Sequence, residues 1–285
     1  MHDCLWCTVR IVTTSTLLTL TMKKILFVNQ DTVPYVEETY LAKMGMTAPN
    51  KLQESGNEMR IFMPKWGNIN ERRGQLHEVI RLSGLNITIN EIDHPLIIKV
   101  ASIPQTKLQV YFIDNEEFFS RKAQTVDADG KPFGDNGERA VFFARGVIET
   151  IKKLRWVPDV IVCNGWMAAL LPLYIKQAYK DEPAISGAKI VTAIYNQSPD
   201  QIMESILKDS LLYKDVTKQF LDNYKDSIDG MELAKIAIDN SDGIIAAQTD
   251  SNEAVMSYAR EAGKKILEYS GEDNTVAYTK FFDTL

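Results

Sequence analysis

The stretch Met22-Lys23-Lys24-Ile25-Leu26-Phe27-Val28-Asn29 decides the fold. Two lysines lead into four apolar residues that end on polar Asn29, the pattern of a short strand buried on both faces. Such strands belong to parallel sheets covered by helices. A helix is expected next, from about Thr39 to Glu54, stopped by Gly56; Met59–Met63 then forms a second strand, closed by Pro64. Strand, helix and strand in this order make the basic unit of an α/β fold.

The same rhythm continues along the chain, with one interruption. Residues 78–114 carry short β runs (Ile87 to Glu91-Ile92, Leu96–Val100 and Val110–Ile113) with turn residues between them, a β-rich insertion in the α/β frame. Val141, Ala144, Ile148 and Ile151 repeat at helical spacing, and Asp135 three residues before Glu138 reads as a capping box. Pro158 separates that helix from a strand over Asp159–Cys163. A helix over about Trp166 to Tyr179, a strand over Lys189–Ile194 and polar helices over roughly 199–240 follow, the last read as a solvated face. A strand Gly243–Ala247, a helix near Asn252–Gly263 and a short strand Lys265–Leu267 complete the pattern. The expected architecture is α/β: a Rossmann-like, doubly wound, mostly parallel sheet with helices on both faces. Ligands on such sheets bind beyond the carboxyl ends of the strands, here the segments around 29–40, 163–167 and 194–198.

Residues 1–21 stand apart. A secretory signal begins with basic residues and continues in an unbroken apolar run, whereas Asp3 comes early here, Arg10 interrupts, and threonines and serines dilute the rest. The segment reads as an amino-terminal extension, disordered or a start-site artefact, with an export signal as the rival reading. Residues 22–285 read as one domain. The 285 residues are 45% apolar and 25% charged, the balance of a globular protein. A net charge of −6 argues against nucleic acid and against anionic membranes as partners, since both require a dense basic face. Three cysteines make no disulfide framework, and a cytoplasmic location is expected.

Few residues signal metal or nucleophilic chemistry. Cys4 and Cys7 have C-x-x-C spacing but no second Cys/His pair. His77 and His94 have no nearby ligand partner in sequence. Asp127, Asp129, Asp135 and Glu138 follow a calcium-loop spacing, but Lys131 and Pro132 violate it, so a turn is expected. Cys163 reads as a small buried hydrophobe. No metal and no cofactor is assigned. Trp66 and Trp166 read either as sugar-stacking faces or as packing residues.

Several stretches in order carry a resemblance. They are Arg60-Ile-Phe-Met-Pro64-Lys-Trp66-Gly67, Val110-Tyr-Phe-Ile-Asp-Asn115 with Phe118-Phe119, and Asp129-Gly130. Asp135-Asn136-Gly-Glu138-Arg139 with Phe142-Phe143-Ala-Arg145, Pro158-Asp159-Val160, Trp166 with Ala169-Leu170 and Pro172, and Ser241-Asp242-Gly-Ile-Ile complete the set. Together they resemble the amino-terminal half of bacterial glycogen and starch synthases, over most of residues 22–250. The resemblance implies a retaining glycosyltransferase lobe that extends an α-glucan from a nucleotide-activated glucose. It implies a single lobe of a two-domain GT-B architecture, with the active site in the cleft between the two domains.

The positions that carry the family's chemistry depart from its pattern. Where the family has K-T-G-G after the first strand, ungapped anchoring on Pro34, Leu41, Pro49 and Gly56 puts Glu37, Glu38, Thr39 and Tyr40. Phosphates favour backbone N–H groups at a helix start, glycine for close approach and a nearby cation. At about 5 Å and an effective dielectric near 20, each carboxylate repels a phosphate charge by roughly 3 kcal/mol. The family's H-D-W-H falls on Asn164-Gly165-Trp166-Met167, and its T-I-H-N on Ala193-Ile194-Tyr195-Asn196. Asn164, Met167 and Tyr195 thus stand at degenerate positions, and no catalytic residue is assigned. Glu37, Thr39, Tyr40, Asn164, Trp166 and Asn196 are the candidate cleft-lining, substrate-binding residues. The expected function is a stand-alone, non-catalytic relative that binds an α-glucan or a protein partner such as a full-length synthase, a nucleotide-sugar being the ligand of the alternative. The alternative is a glucosyltransferase half that works with a separately encoded carboxyl-terminal domain.

Overall fold

The computed structural model describes residues 22–198, 205–272 and 275–285. The expectations for residues 1–21, for Cys4 and Cys7 among them, and for the first residues of the polar stretch after 198 lie outside the described residues. In chain order the strands are β1 Lys24–Asn29, β2 Glu58–Pro64, β3 His77–Glu78, β4 Leu85–Ile89, β5 Ile92–Ser102, β6 Gln109–Asp114, β7 Val160–Asn164, β8 Lys189–Ile194, β9 Ile206–Leu207, β10 Ser227–Ile228, β11 Gly243–Ala246 and β12 Lys265–Leu267. The helices are α1 Tyr40–Glu54, α2 Glu116–Phe119, α3 Asn136–Leu154, α4 Leu171–Lys176, α5 Lys208–Leu211, α6 Lys218–Leu221, α7 Gly230–Asp239, α8 Glu253–Glu261 and α9 Thr275–Thr284.

The main sheet runs β12-β11-β8-β7-β1-β2-β6-β5-β3, with β4 hydrogen-bonded to β5. From β12 through β6 every pair is parallel. Strand β5 turns back antiparallel on β6, and β3 and β4 pair antiparallel with it. The expected β-rich insertion is therefore β3 to β5, while Val110–Ile113 belongs to the parallel sheet. The crossover through α1 moves one way along the sheet and the crossover through α3 the other. Right-handed connections put these helices on opposite faces. The direction reverses between β1 and β7, so the switch point lies at Asn29 and Asn164.

Sequence and structure differ in four places. Asp135 does not cap α3 with its side chain: it pairs with Arg121, and Glu138 accepts a hydrogen bond from Ser210 Oγ at 3.2 Å, so no capping box forms. The helix expected over Trp166–Tyr179 breaks into a 3₁₀ turn, Trp166–Ala168, and α4, with Pro172 in the first turn of α4. The stretch after 205 is no solvated face: Ile206, Leu211, Val216, Leu221 and Ile228 are all buried in the core. Helix α9, which no periodicity announced, inserts Tyr278, Phe281 and Phe282 into the same core.

Candidate carboxyl-edge site

Strand β1 ends on Asn29, which is fully buried. Asn29 Nδ2 donates to the Gly45 carbonyl at 2.8 Å and to Thr32 Oγ1 at 3.0 Å. That carbonyl is available because Pro49, four residues on in α1, has no N–H to donate to it. Gly45 allows the approach: a Cβ there would lie 2.4 Å from the Asp31 carbonyl oxygen and 3.0 Å from Asn29 Nδ2.

The other side of Asn29 faces the switch point. Asn164 Nδ2, at the end of β7, donates to Asn29 Oδ1 at 2.8 Å, and Tyr195 Oη, just past β8, donates to Asn164 Oδ1 at 3.1 Å. Asn29, Asn164 and Tyr195 are all buried, and burial raises the Tyr195 phenol well above its ordinary pKa. The result is a neutral chain from β8 through β7 and β1 into α1. It bridges the crevice where open α/β sheets take ligands.

Tyr40 extends the seal. Its ring meets that of Tyr195 at a centroid distance of 6.3 Å, edge to face, and its Oη donates to the Ala247 carbonyl at 3.1 Å. Burial and hydrogen bonding with Tyr269 raise its pKa. Lys43, one turn on in α1, pairs with Glu272 at 2.8 Å.

The candidate residues therefore separate. Asn164, Tyr195 and Tyr40 come together. Thr39 spends its side chain as the N-cap of α1, accepting from Ala42 N at 3.1 Å. Asn196 is exposed and donates to Asp250 Oδ2 at 3.0 Å. Met167 is fully buried in the core. Glu37 and Glu38 are exposed, so water and salt reduce the expected phosphate repulsion to about 1 kcal/mol each. Cys163 is buried, and burial pushes its thiol up.

Neither tryptophan offers a ring face for stacking. Trp66 is fully buried and its Nε1 donates to the Gln30 carbonyl at 2.9 Å and to Asp31 Oδ1 at 3.0 Å. Trp166 is 5% exposed, with its Nε1 buried and without a partner. It lines, with Leu41, Tyr195 and Leu233, a mostly apolar cavity of about 70 Å³, well below the ~300–1,000 Å³ of small-molecule pockets. Gly165, at φ +82°, makes the turn into it; a Cβ there would lie 2.7 Å from that of Gln30.

Asn29, Asp31 and Arg139 are three buried polar residues that no sequence motif marks individually as site residues. Asp31 accepts from Gln30, Trp66 and Gln124, yet desolvation outweighs these bonds and raises its pKa to about 6. Arg139, within the Asp135–Arg139 motif, is fully buried beneath Trp66 and Phe119 and donates to Asn136 Oδ1 at 2.8 Å. Burial, with Arg121 nearby, lowers its pKa to about 10. Asp127 caps its own turn, accepting from Asp129 N and Lys131 N at 2.9 Å each. Among the described residues no helix is long and apolar enough to cross a membrane.

Comparison with known proteins agrees with the architecture. Residues 24–267 match the starch synthase catalytic domain family. The glycogen synthase of Chlorobium luteolum is 37% identical over 195 residues, which cover 68% of this chain and 40% of that protein. The glycogen synthase of Pelodictyon phaeoclathratiforme is 38% identical over 174 residues, 61% of this chain and 36% of that protein. The catalytic domain of starch synthase IV from Arabidopsis thaliana, solved bound to ADP and acarbose, superposes with a TM-score of 0.70. It is 16% identical over 87% of this chain and 51% of that one, a likeness of fold. The chain spans about 40% of the length of the curated relatives it matches. With a matching family model along most of its length and this sheet order, the chain belongs to the starch synthase catalytic domain family.

Proposed function

We propose that this chain is a non-catalytic member of its family that binds an α-glucan or a protein partner, such as a full-length synthase. The observation that carries the reading is the Asn29–Asn164–Tyr195 chain. At two positions where the family pattern has histidine, this sequence has residues spent on a neutral, buried seal across the switch point. No titratable imidazole remains there for proton transfer or for contact with a sugar hydroxyl. Tyr40 supports the same reading. A phosphate-binding helix start needs bare backbone N–H groups, and here a tyrosine ring fills a position where the family has glycine.

A second reading is favoured by family membership itself: the chain is a glucosyltransferase half, transferring glucose from ADP- or UDP-glucose to an α-1,4-glucan only with a separately encoded domain. One titration separates the two. ADP-glucose, UDP-glucose and malto-oligosaccharides are added to the purified chain and followed by calorimetry and thermal shift. A bound ligand at 100 times its Kd adds about 2.7 kcal/mol of stability. Saccharide or partner binding without donor binding supports the non-catalytic reading. Donor binding, or glucose transfer by the purified chain, overturns it.

A further inference from the structure

A groove of about 340 Å³ opens toward the amino ends of β2 and β6, away from the Asn29–Asn164–Tyr195 seal. It lies at the small end of the ~300–1,000 Å³ range of ligand pockets. Its floor is one face of adjoining strands. His77 of β3 stands opposite Val100 of β5, and Val100 stands opposite Tyr111 of β6. Directly opposed residues share a sheet face, so the three line up across it. Arg60 of β2 reaches the same row, its Nη1 donating to Tyr111 Oη at 3.2 Å. Arg81, on the turn after β3, lines the rim.

The charge here runs against that of the chain. The net charge of the sequence is −6, yet the ionisable side chains at this groove are Arg60, His77, Arg81 and the Tyr111 phenol, with no carboxylate among its described lining residues. Lys153 adds a further cation to the turn that carries Arg81, donating to the Leu82 and Ser83 carbonyls at 3.0 and 3.1 Å. Glu58, two residues before Arg60 on β2, accepts from Trp156 Nε1 at 2.6 Å.

The cations are also poised. Arg60 lies over the Trp156 ring at 4.9 Å and the Tyr111 ring at 5.6 Å from their centroids. Stacking and one hydrogen bond hold the guanidinium in place while most of its five N–H donors stay uncommitted. Among the described residues no hydrogen bond or ion pair engages the side chains of His77 or Arg81. Tyr111 Oη donates to Gln109 Oε1 at 3.4 Å, which leaves the Gln109 amide nitrogen as a donor at the same groove.

We propose that this groove binds a phosphate dianion, as the free ion or as the monoester of a small molecule, held by Arg60, His77 and Arg81. A guanidinium fork matches two phosphate oxygens at once, and charge-assisted bonds of this kind are roughly twice as strong as neutral ones. Converging donors without a facing carboxylate suit an acceptor-only, doubly charged group. The volume suits a compact ligand rather than a polymer. The site is independent of the carboxyl edge and of the function proposed for it.

The test is a ³¹P NMR titration of the full chain with inorganic phosphate and with glycerol 3-phosphate at constant ionic strength. It compares the wild type with His77→Gln/Arg81→Gln, Arg60→Lys and the control Arg72→Gln/Arg73→Gln, which removes two exposed cations elsewhere. Circular dichroism melts control for folding. His77→Gln/Arg81→Gln is expected to lose at least tenfold in affinity at unchanged Tm. Arg60→Lys keeps the charge but loses the fork, and is expected to lose severalfold. The control is expected to bind as the wild type does. Tighter binding of glycerol 3-phosphate assigns the site to a monoester, and tighter binding of inorganic phosphate to the free ion. No binding by the wild type, unchanged affinity in His77→Gln/Arg81→Gln, or an equal loss in the control overturns the site; so does tighter binding of an oligoglutamate peptide, which would make it a partner surface. Donor binding in the titration described above that survives in His77→Gln/Arg81→Gln belongs to the carboxyl edge and leaves this site standing.

Discussion

The side chain of Asn29 donates to the backbone carbonyl of Gly45 at 2.8 Å, and the helix around Gly45 is built to receive it. Pro49 withholds the N–H that would otherwise close the helical bond, and the missing Cβ at position 45 lets the strand end come close. A side chain on the sheet thus replaces a bond inside a helix. The same Asn29 then accepts from Asn164, so the fit of α1 and the seal of the switch point share one residue.

Gly45→Ala should destabilise the chain by about 2 kcal/mol, although alanine is the better helix former by roughly 1 kcal/mol. The new methyl would lie 2.4 Å from a backbone oxygen, which cannot move as a flexible side chain can. Denaturant unfolding measures the change, and a variant as stable as the wild type would refute the close approach.

Tyr195→Phe should cost about 1 kcal/mol, the net worth of one hydrogen bond. Asn164→Leu should cost more, about 2–4 kcal/mol, because it leaves both Asn29 Oδ1 and Tyr195 Oη buried without partners. The pair should be strongly non-additive: once Asn164 is gone, losing the phenol oxygen is neutral or favourable. A double-mutant cycle by urea unfolding reads that coupling, and additive costs would show that the three residues do not form one network.

Asp31→Asn should stabilise the chain at neutral pH and not at low pH. The Asp31 pKa is raised from 3.8 to about 6 in the folded state. The folded chain therefore binds more protons than the unfolded one between those values, and stability falls as pH rises through the window. The ionised carboxylate costs about 3 kcal/mol at pH 7 and above, and nothing below about pH 4. Asparagine keeps Oδ1 for Trp66 and Gln124, and rotation of the Gln30 amide brings its unpaired Oε1 to the new N–H. Thermal melts at pH 4 and pH 7.5 check the sign: an equal shift at both would show that Asp31 ionises normally.

Gly243→Ala and Phe281→Ala should compensate. A Cβ at Gly243 would lie 2.7 Å from the Phe281 ring, so the first substitution alone should cost about 1–3 kcal/mol. Phe281→Ala alone should cost about 3 kcal/mol by leaving a cavity under α9. With the ring removed, the methyl at 243 still meets Leu285 Cδ2 at 2.9 Å, the end of a flexible side chain that can turn into the vacated space, and the double variant should be more stable than the sum. Additive losses would mean that α9 does not pack on β11 as described.

Strand and helix order were legible in the sequence because periodicity records which side of each segment is buried. Ile25–Val28 and Lys189–Ile194 read as strands for that reason, and the α1 helix read correctly from Thr39 to Glu54. Two expectations failed where partners distant in sequence overrode local pattern. Asp135 and Glu138 have capping-box spacing, but Arg121 and Ser210 engage them first. The polar stretch after 205 turned its few apolar residues inward against α3 and α4, although their spacing is too irregular to announce a buried face.

By itself, then, the sequence determined an α/β chain of parallel strands, the segments that form its carboxyl edge, and residues other than histidine at three positions where the pattern it resembles has histidine. Its residue types could not reveal what replaced them. Asn29 and Asn164 are 135 residues apart, and Asn164 and Tyr195 are 31 apart. They meet because the register of β1, β7 and β8 ends the three strands at one level. Register is a property of the paired sheet, so only the tertiary structure decided that three separate polar residues would close into one buried seal.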